Sequence, residues 1–309
     1  MATLHPFAVG VLFAGKLDDG GFMEFGYRGL IRAKSEFDLS TTVIDQIPPV
    51  PAQLADALRQ LAQTGASLVI AHGGQNDGAA RIVAAEYPTT RFTVMQGSVQ
   101  AANLSSYAMR QEQSAFLAGI AAAQLTRTGV VGHLAGFRAR PALLSRAAYA
   151  AGVAAGNPLA RLLTTFCGTH DDAAVAERVA KAQIAAGADI IFTMLNAAIP
   201  GAMAACRAGR TRLIGNVRDW VASDPQLFVG SAVADVGLGI FEVCREFAQG
   251  KWYGDRIRHI GVENAAAVRL QLAPCVPSAI AQQIHEWQLR VLSGDIVIPD
   301  EFKGSEFDA

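Results

Sequence analysis

FAVGVLFAGKLDDGGFMEFGYRG, residues 7–29, decides how the chain folds. The apolar run Phe7–Ala14 is too short for a helix and is closed by Gly15, so it predicts a strand buried on both faces. An acidic, glycine-bearing turn follows, and Leu30, Ile31 and Phe37 then recur at helical spacing. Asp18, Asp19, Gly20, Gly21 and Phe22 therefore fall where a first strand hands over to a first helix, the place where open parallel sheets bind ligands. Gly20-Gly21 lets the backbone approach a ligand, while Phe22 and Met23 set apolar, polarizable surface beside two carboxylates. The alternative is an N-terminal cap, with Asp18 or Asp19 holding the helix start and Phe22 packed inward.

The same strand-to-helix rhythm continues outward from this stretch. Thr41–Ile44, Ser67–His72, Arg91–Gln96 and Leu104–Met109 predict strands. Between them lie a helix from Pro51 with Leu54, Leu58 and Leu61 on one face, the turn HGGQND at residues 72–77, and a helix Ala80–Tyr87. A helix at Gln111–Leu125, turning Phe116 and Ile120 inward, opens a second series with strands at Gly129–Leu134, Arg161–Phe166, Ala188–Leu195 and Arg212–Asn216. Leu227–Val233 and Val268–Leu272 are further strands; Asp235 caps a helix through Phe247, and a helix from Pro277 is stopped by Gly294. One sheet does not absorb so many strands. The expectation is an α/β protein of two Rossmann-like lobes with parallel sheets around a central cleft, residues 1–109 plus 235–264 forming the N-terminal lobe and 110–234 plus 265–309 the C-terminal lobe.

Composition narrows the function. A chain of 309 residues with 51% hydrophobic residues has room for two cores, and a net charge of −1 leaves no electrostatic footprint for nucleic acid. Cys167, Cys206, Cys244 and Cys275 are widely spaced and form no C-x-x-C pair, so they read as isolated small core residues. Met1–Pro6 lacks the basic start of a signal peptide, which leaves a cytoplasmic protein or a mature extracytoplasmic form.

Catalytic motifs are missing: there is no G-x-S-x-G elbow, P-loop, H-E-x-x-H or G-x-G-x-x-G after a strand. His285 reads as a surface residue, and His170-Asp171-Asp172 reads as helix capping in preference to a metal site. No catalytic residue, metal or cofactor is expected. Polar and aromatic residues at predicted strand ends remain, and the ligand-binding set is Asp19, Phe22, Met23, His72, Gln96, Glu112, Asn196, Asp219, Trp220 and Asp235. Such residues suit a ring bearing hydroxyls or amides.

With these motifs in view, the chain resembles the basic membrane protein family, the purine-nucleoside-receptor type of substrate-binding protein of ABC transporters. DDGGFMEFGYRG resembles the family's D-D-x-S-F-N turn, HGGQND with AAEYP its glycine turn and following segment, and EQSAFLAGIAAA its E-x-S-F-L-A-G helix. VVGHLAG, GVAAGNP, GADIIF and LSGDIVIP add order and spacing from Val9 to about Pro299. The resemblance implies the type I periplasmic binding protein architecture, with a purine or nucleoside held in the cleft and an ABC permease as membrane partner. It implies Phe22 as one stacking face, Asn196 and Asp219-Trp220 as contacts to the base, and Asp235 as acceptor for ribose hydroxyls.

Three departures bear on the ligand. Met23 stands where the family has asparagine, Ala234 where it has lysine, and IGVENAAAVRL lacks the usual lysine and glycines. A pocket with fewer polar donors favours a flatter, less hydroxylated molecule than a ribonucleoside, such as a free purine. The expected function is solute binding for an ABC importer. A cytoplasmic ligand sensor of the same fold is the alternative, and a nucleoside hydrolase using Asp18-Asp19 a more distant one.

Overall fold

Phe7–Phe13 forms β1, and its last three residues have no exposed surface, as expected of a strand covered on both faces. The structure, a computed structural model, describes residues 7–309; the reading of Met1–Pro6 lies outside the described residues. The chain divides into two units, residues 7–109 with Asp235–Ile260 and Arg110–Ala234 with Gly261–Ala309.

In unit 1, β1 leads through α1 (Phe22–Phe37), β2 (Leu39–Ile44), α2 (Pro51–Gln63), β3 (Leu68–His72), α3 (Asp77–Glu86), β4 (Arg91–Met95) and β5 (Leu104–Met109). The strands pair in parallel in the order β2-β1-β3-β4-β5. α2 and α3 cover one face, burying Leu54, Leu58 and Leu61 against Leu12, Val69, Phe92 and Val94, so the Leu spacing does what it predicts. α1 packs on the other face.

Unit 2 follows with α4 (Gln111–Leu125), β6 (Val130–Ala135), α5 (Arg140–Gly156), β7 (Arg161–Phe166), α6 (Ala173–Ala185), β8 (Ile190–Met194), α7 (Ile199–Gly209), β9 (Arg212–Val217) and β10 (Phe228–Ala234). The chain then returns to unit 1 with α8 (Val236–Ala248), which packs on α1, β4 and β5, and β11 (Arg256–Ile260), which pairs with β5. It ends in unit 2 with β12 (Val268–Leu272) and α9 (Ser278–Leu292). The second sheet runs β12-β10-β9-β8-β6-β7, parallel except for β12 against β10.

α4 is buried almost all round because it lies against the sheet, α5 and α9. A Cβ on Gly119 would come within 2.2 Å of the Tyr149 carbonyl, and one on Gly152 within 2.0 Å of the Phe116 carbonyl. The family-like segment EQSAFLAGIAAA is thus a helix-packing motif, its small residues letting two backbones touch.

One strand went unread in the sequence, and one expectation is corrected. β11, a short strand rich in charge, carries no apolar run to announce it. Cys206 and Cys244 are core residues, with burial pushing both thiols up to about 12, but Cys167 is half-buried and Cys275 is exposed. Asp172 does cap α6, accepting from the Ala174 and Val175 amides.

Candidate functional site

Every expected site residue lies at or just beyond the end of a strand or at the start of a helix, and the structure shows how each side chain is engaged. In unit 1 the turn after β1 is a cap. Asp19 Oδ1 accepts from the amides of Gly21 (2.8 Å) and Glu24 (3.1 Å), and Oδ2 from that of Met23 (3.1 Å), while Glu24 reaches back to the Gly20 amide. These bonds satisfy donors that the first turn of α1 leaves unpaired. Met23 turns inward, its chain against Gly15.

Phe22 is half-buried and stacks on His72, the last residue of β3, with ring centroids 4.1 Å apart at 21°. His72 has no exposed surface, and its Nε2–H donates to the Phe22 carbonyl at 2.9 Å. Burial drives its pKa down to about 4, the bond to Phe22 offsetting only part of that, so the ring is neutral at pH 7. His72 therefore lies beneath Phe22 as its support. Gly26 makes room for it, since a Cβ there would lie 2.6 Å from Nε2.

Gln96 has a left-handed backbone (φ 56°) and clamps the end of β5, its Oε1 accepting from the Met109 amide. Asp235 caps α8 through the Leu238 amide (2.8 Å). Two residues on, Gly237 sits against the Phe25 carbonyl, bringing the start of α8 beside the first turn of α1.

In unit 2, Glu112 pairs with Arg110 at 3.2 Å in the first turn of α4. Asp219 accepts from the Ala222 amide, closing a turn. The Asn196 amide donates to the His170 carbonyl at 3.1 Å. Trp220 is a core residue, 7% exposed: Phe228 stacks on it at 5.3 Å, the Arg218 guanidinium lies 3.7 Å from its ring centroid, and its indole N–H donates to the Asn216 carbonyl. Ser231 Oγ accepts from the amides of Trp220 and Val221. The ring face expected to meet a ligand is taken up within unit 2.

One aromatic escaped the sequence reading. Phe137, two residues past β6, is 53% exposed and meets His170 edge to face at 5.2 Å. The motif VVGHLAG stops one residue short of it, and its available signal was an aromatic following a buried strand and a glycine. Among the described residues no group of three or more His, Cys, Asp or Glu could hold a metal ion, and no helix is long and apolar enough to cross a membrane.

Two sheets of this topology, each covered by helices on both faces and carrying polar and aromatic groups beyond its strand ends, define the α/β class to which type I solute-binding proteins belong. The chain belongs to the family described as ABC transporter substrate-binding protein PnrA-like, which matches residues 7–301. It is 24% identical over 302 residues to basic membrane protein A2 of Borrelia garinii subsp. bavariensis, covering 94% of this chain and 88% of that one. A solute-binding protein of an ABC transporter system from Aeropyrum pernix K1 superposes with a TM-score of 0.84 at 21% identity, over 95% of this chain and 94% of the other. A transcriptional activator of the comK gene from Bacillus halodurans shares the fold with a TM-score of 0.80 at 20% identity, over 94% and 99%. The family is one of solute-binding proteins.

Proposed function

We propose that this chain is the extracytoplasmic substrate-binding component of an ABC importer and that its ligand is a flat nitrogen heterocycle, a purine base in preference to a ribonucleoside. The observation that carries the reading is Phe22 stacked on a buried, neutral His72 at the strand ends of unit 1. An aromatic face held rigid by a neighbour that carries no charge suits a planar ring, because little conformational entropy is lost on stacking. Asp19 and Asp235 spend carboxylate oxygens on helix caps, which leaves fewer acceptors for a ribose diol. The lobes proposed are those expected from the sequence. Asn196 and Asp219 supply polar groups from unit 2, and a membrane permease reads the liganded form.

Thermal shift followed by calorimetry against purines, ribonucleosides, deoxynucleosides, pyrimidines and sugars tests the reading. A base that binds as well as or better than its ribonucleoside is the expected result; a response to sugars alone overturns it. A second reading, a ligand sensor in gene regulation, draws on the likeness to the comK activator. It predicts the same ligand response with no effect on uptake when the gene is deleted.

A further inference from the structure

The C-terminal tail seats a carboxylate between two arginines of unit 2. Glu306 Oε1 accepts from Nη1 of Arg146 in α5, and Oε2 accepts from Nη2 of Arg138 in the turn after β6. Arg146 is only 8% exposed, and among the described residues no other carboxylate pairs with either guanidinium. A buried guanidinium left unpaired is costly, so α5 carries a charge that a group outside it must answer. Residues 302–309, which supply that group, lie beyond the stretch that matches the family.

We infer that Arg138 and Arg146, together with the outer edge of β7, form a peptide-binding site for an extended acidic-aromatic segment, and that the chain fills this site with its own Glu306-Phe307. The inference does not depend on the functional reading above.

The contacts are those of peptide recognition. β7 is the edge strand of its sheet, and the Phe307 amide donates to the Thr164 carbonyl at 2.8 Å while the Phe307 carbonyl accepts from Thr165 Oγ1 at 2.9 Å. Those main-chain bonds are available to any extended segment laid along the edge. Side chains supply the selectivity. Phe307 packs on the core cluster that holds Leu163 and Val179. The Arg146 guanidinium lies 4.9 Å from the ring centroid of Phe166, at the end of β7, and 4.9 Å from that of Phe302, in the tail. One ring of the site and one of the tail thus share the same cation.

The seat is occupied without being closed. Each arginine receives a single oxygen of Glu306, so neither pair is bidentate, and the buried Arg146 Nε has no partner. A cavity of about 350 Å³ remains between the tail and α6, lined in part by Cys167, Val175, Arg178 and Val179. A tail packed like a core segment would leave no such space. The tail is therefore a tethered ligand held by few contacts, and the same peptide supplied from outside can take its place.

Fluorescence polarisation with a labelled peptide of residues 302–309, FKGSEFDA, tests the site on the full chain. In the parent chain the tethered tail, at roughly millimolar effective concentration, is expected to keep the peptide out. Glu306→Gln combined with Phe307→Pro removes the carboxylate and the amide donor, and this loosened chain is expected to bind one peptide. A peptide carrying Glu306→Gln is expected to bind it about thirtyfold more weakly or worse. Adding Arg138→Gln, at an exposed position, to the loosened chain is expected to weaken the parent peptide too. No binding to the loosened chain, or equal binding of the two peptides, overturns the site. Hydrogen exchange at the Phe307 amide gives an independent reading that needs only Glu306→Gln. Exchange is expected to quicken about tenfold or more in that variant, and an unchanged rate counts against the site equally.

Discussion

Burial of His72 couples stability to acidity. Its pKa is about 4 in the folded chain and that of His133, enclosed by Tyr149, Phe166 and Phe192, is lowered by burial to about 3, against 6.5 for a free imidazole. As pH falls below 6.5 the unfolded chain takes up these protons first, so stability is full above that value and declines towards pH 4 and then pH 3. His72 alone accounts for a loss on the order of 3 kcal/mol. The urea midpoint is expected to drop between pH 7 and pH 4.5, with a shallower drop in His72→Gln; a flat profile in the parent chain would show that the histidines are not buried neutral. Gly26→Ala pushes on the same ring and is expected to weaken ligand binding through Phe22, as calorimetry would report. Trp220→Ala belongs with core truncations and is expected to cost roughly 3–5 kcal/mol in chemical denaturation. Should that variant keep its stability and lose only affinity, the indole is a ligand contact after all. The Asp19 cap was legible in the sequence because its partners lie within five residues, whereas the covering of Trp220 by Phe228 was not.

At the level of single elements, α4 and α5 touch where glycines face backbone carbonyls. Gly152→Ala has no flexible side chain to displace, since its Cβ would meet the Phe116 carbonyl. The helices must separate, at a cost of about 1–3 kcal/mol, with a lower melting temperature as the readout. An equal substitution at Gly20, where a Cβ meets nothing within 4 Å, strains only the local backbone (φ 69°) and serves as the comparison. Asp19→Ala removes the acceptor for three amides of the first turn of α1 and is expected to cost about 1–2 kcal/mol, with Asp19→Asn retaining most of it. Equal losses in the two variants would mean that charge, and not acceptor geometry, is what the helix start needs. Beyond α9 the C-terminal tail closes a sheet edge. The Phe307 amide donates to the Thr164 carbonyl and Thr165 Oγ1 to the Phe307 carbonyl, so the tail covers the edge strand β7.

For the molecule as a whole, the chain passes between its units at residues 109–110, 234–235 and 260–261, so neither unit is a continuous segment. A fragment of residues 1–109 lacks α8, which covers β4 and β5, and β11, which pairs with β5. It leaves one sheet face partly bare and is expected not to unfold cooperatively by circular dichroism; a sharp transition from that fragment would contradict the division. A ligand that engages the folded chain alone, present at about 100 times its dissociation constant, should add roughly 2.7 kcal/mol to stability.

The residue order by itself determined the α/β alternation, most element boundaries and the family, because these follow from apolar periodicity, turn residues and short-range caps. It also pointed to the strand ends as the place to propose a site, since ligand binding there is a property of parallel sheets. Only the tertiary structure decided which of those groups are already spent. His72 supports Phe22, Gln96 clamps Met109, and Trp220 fills a core, while Phe137 stands open against His170. The reason is physical: a cap is made by neighbours along the chain, but burial and ring stacking depend on which strands lie side by side.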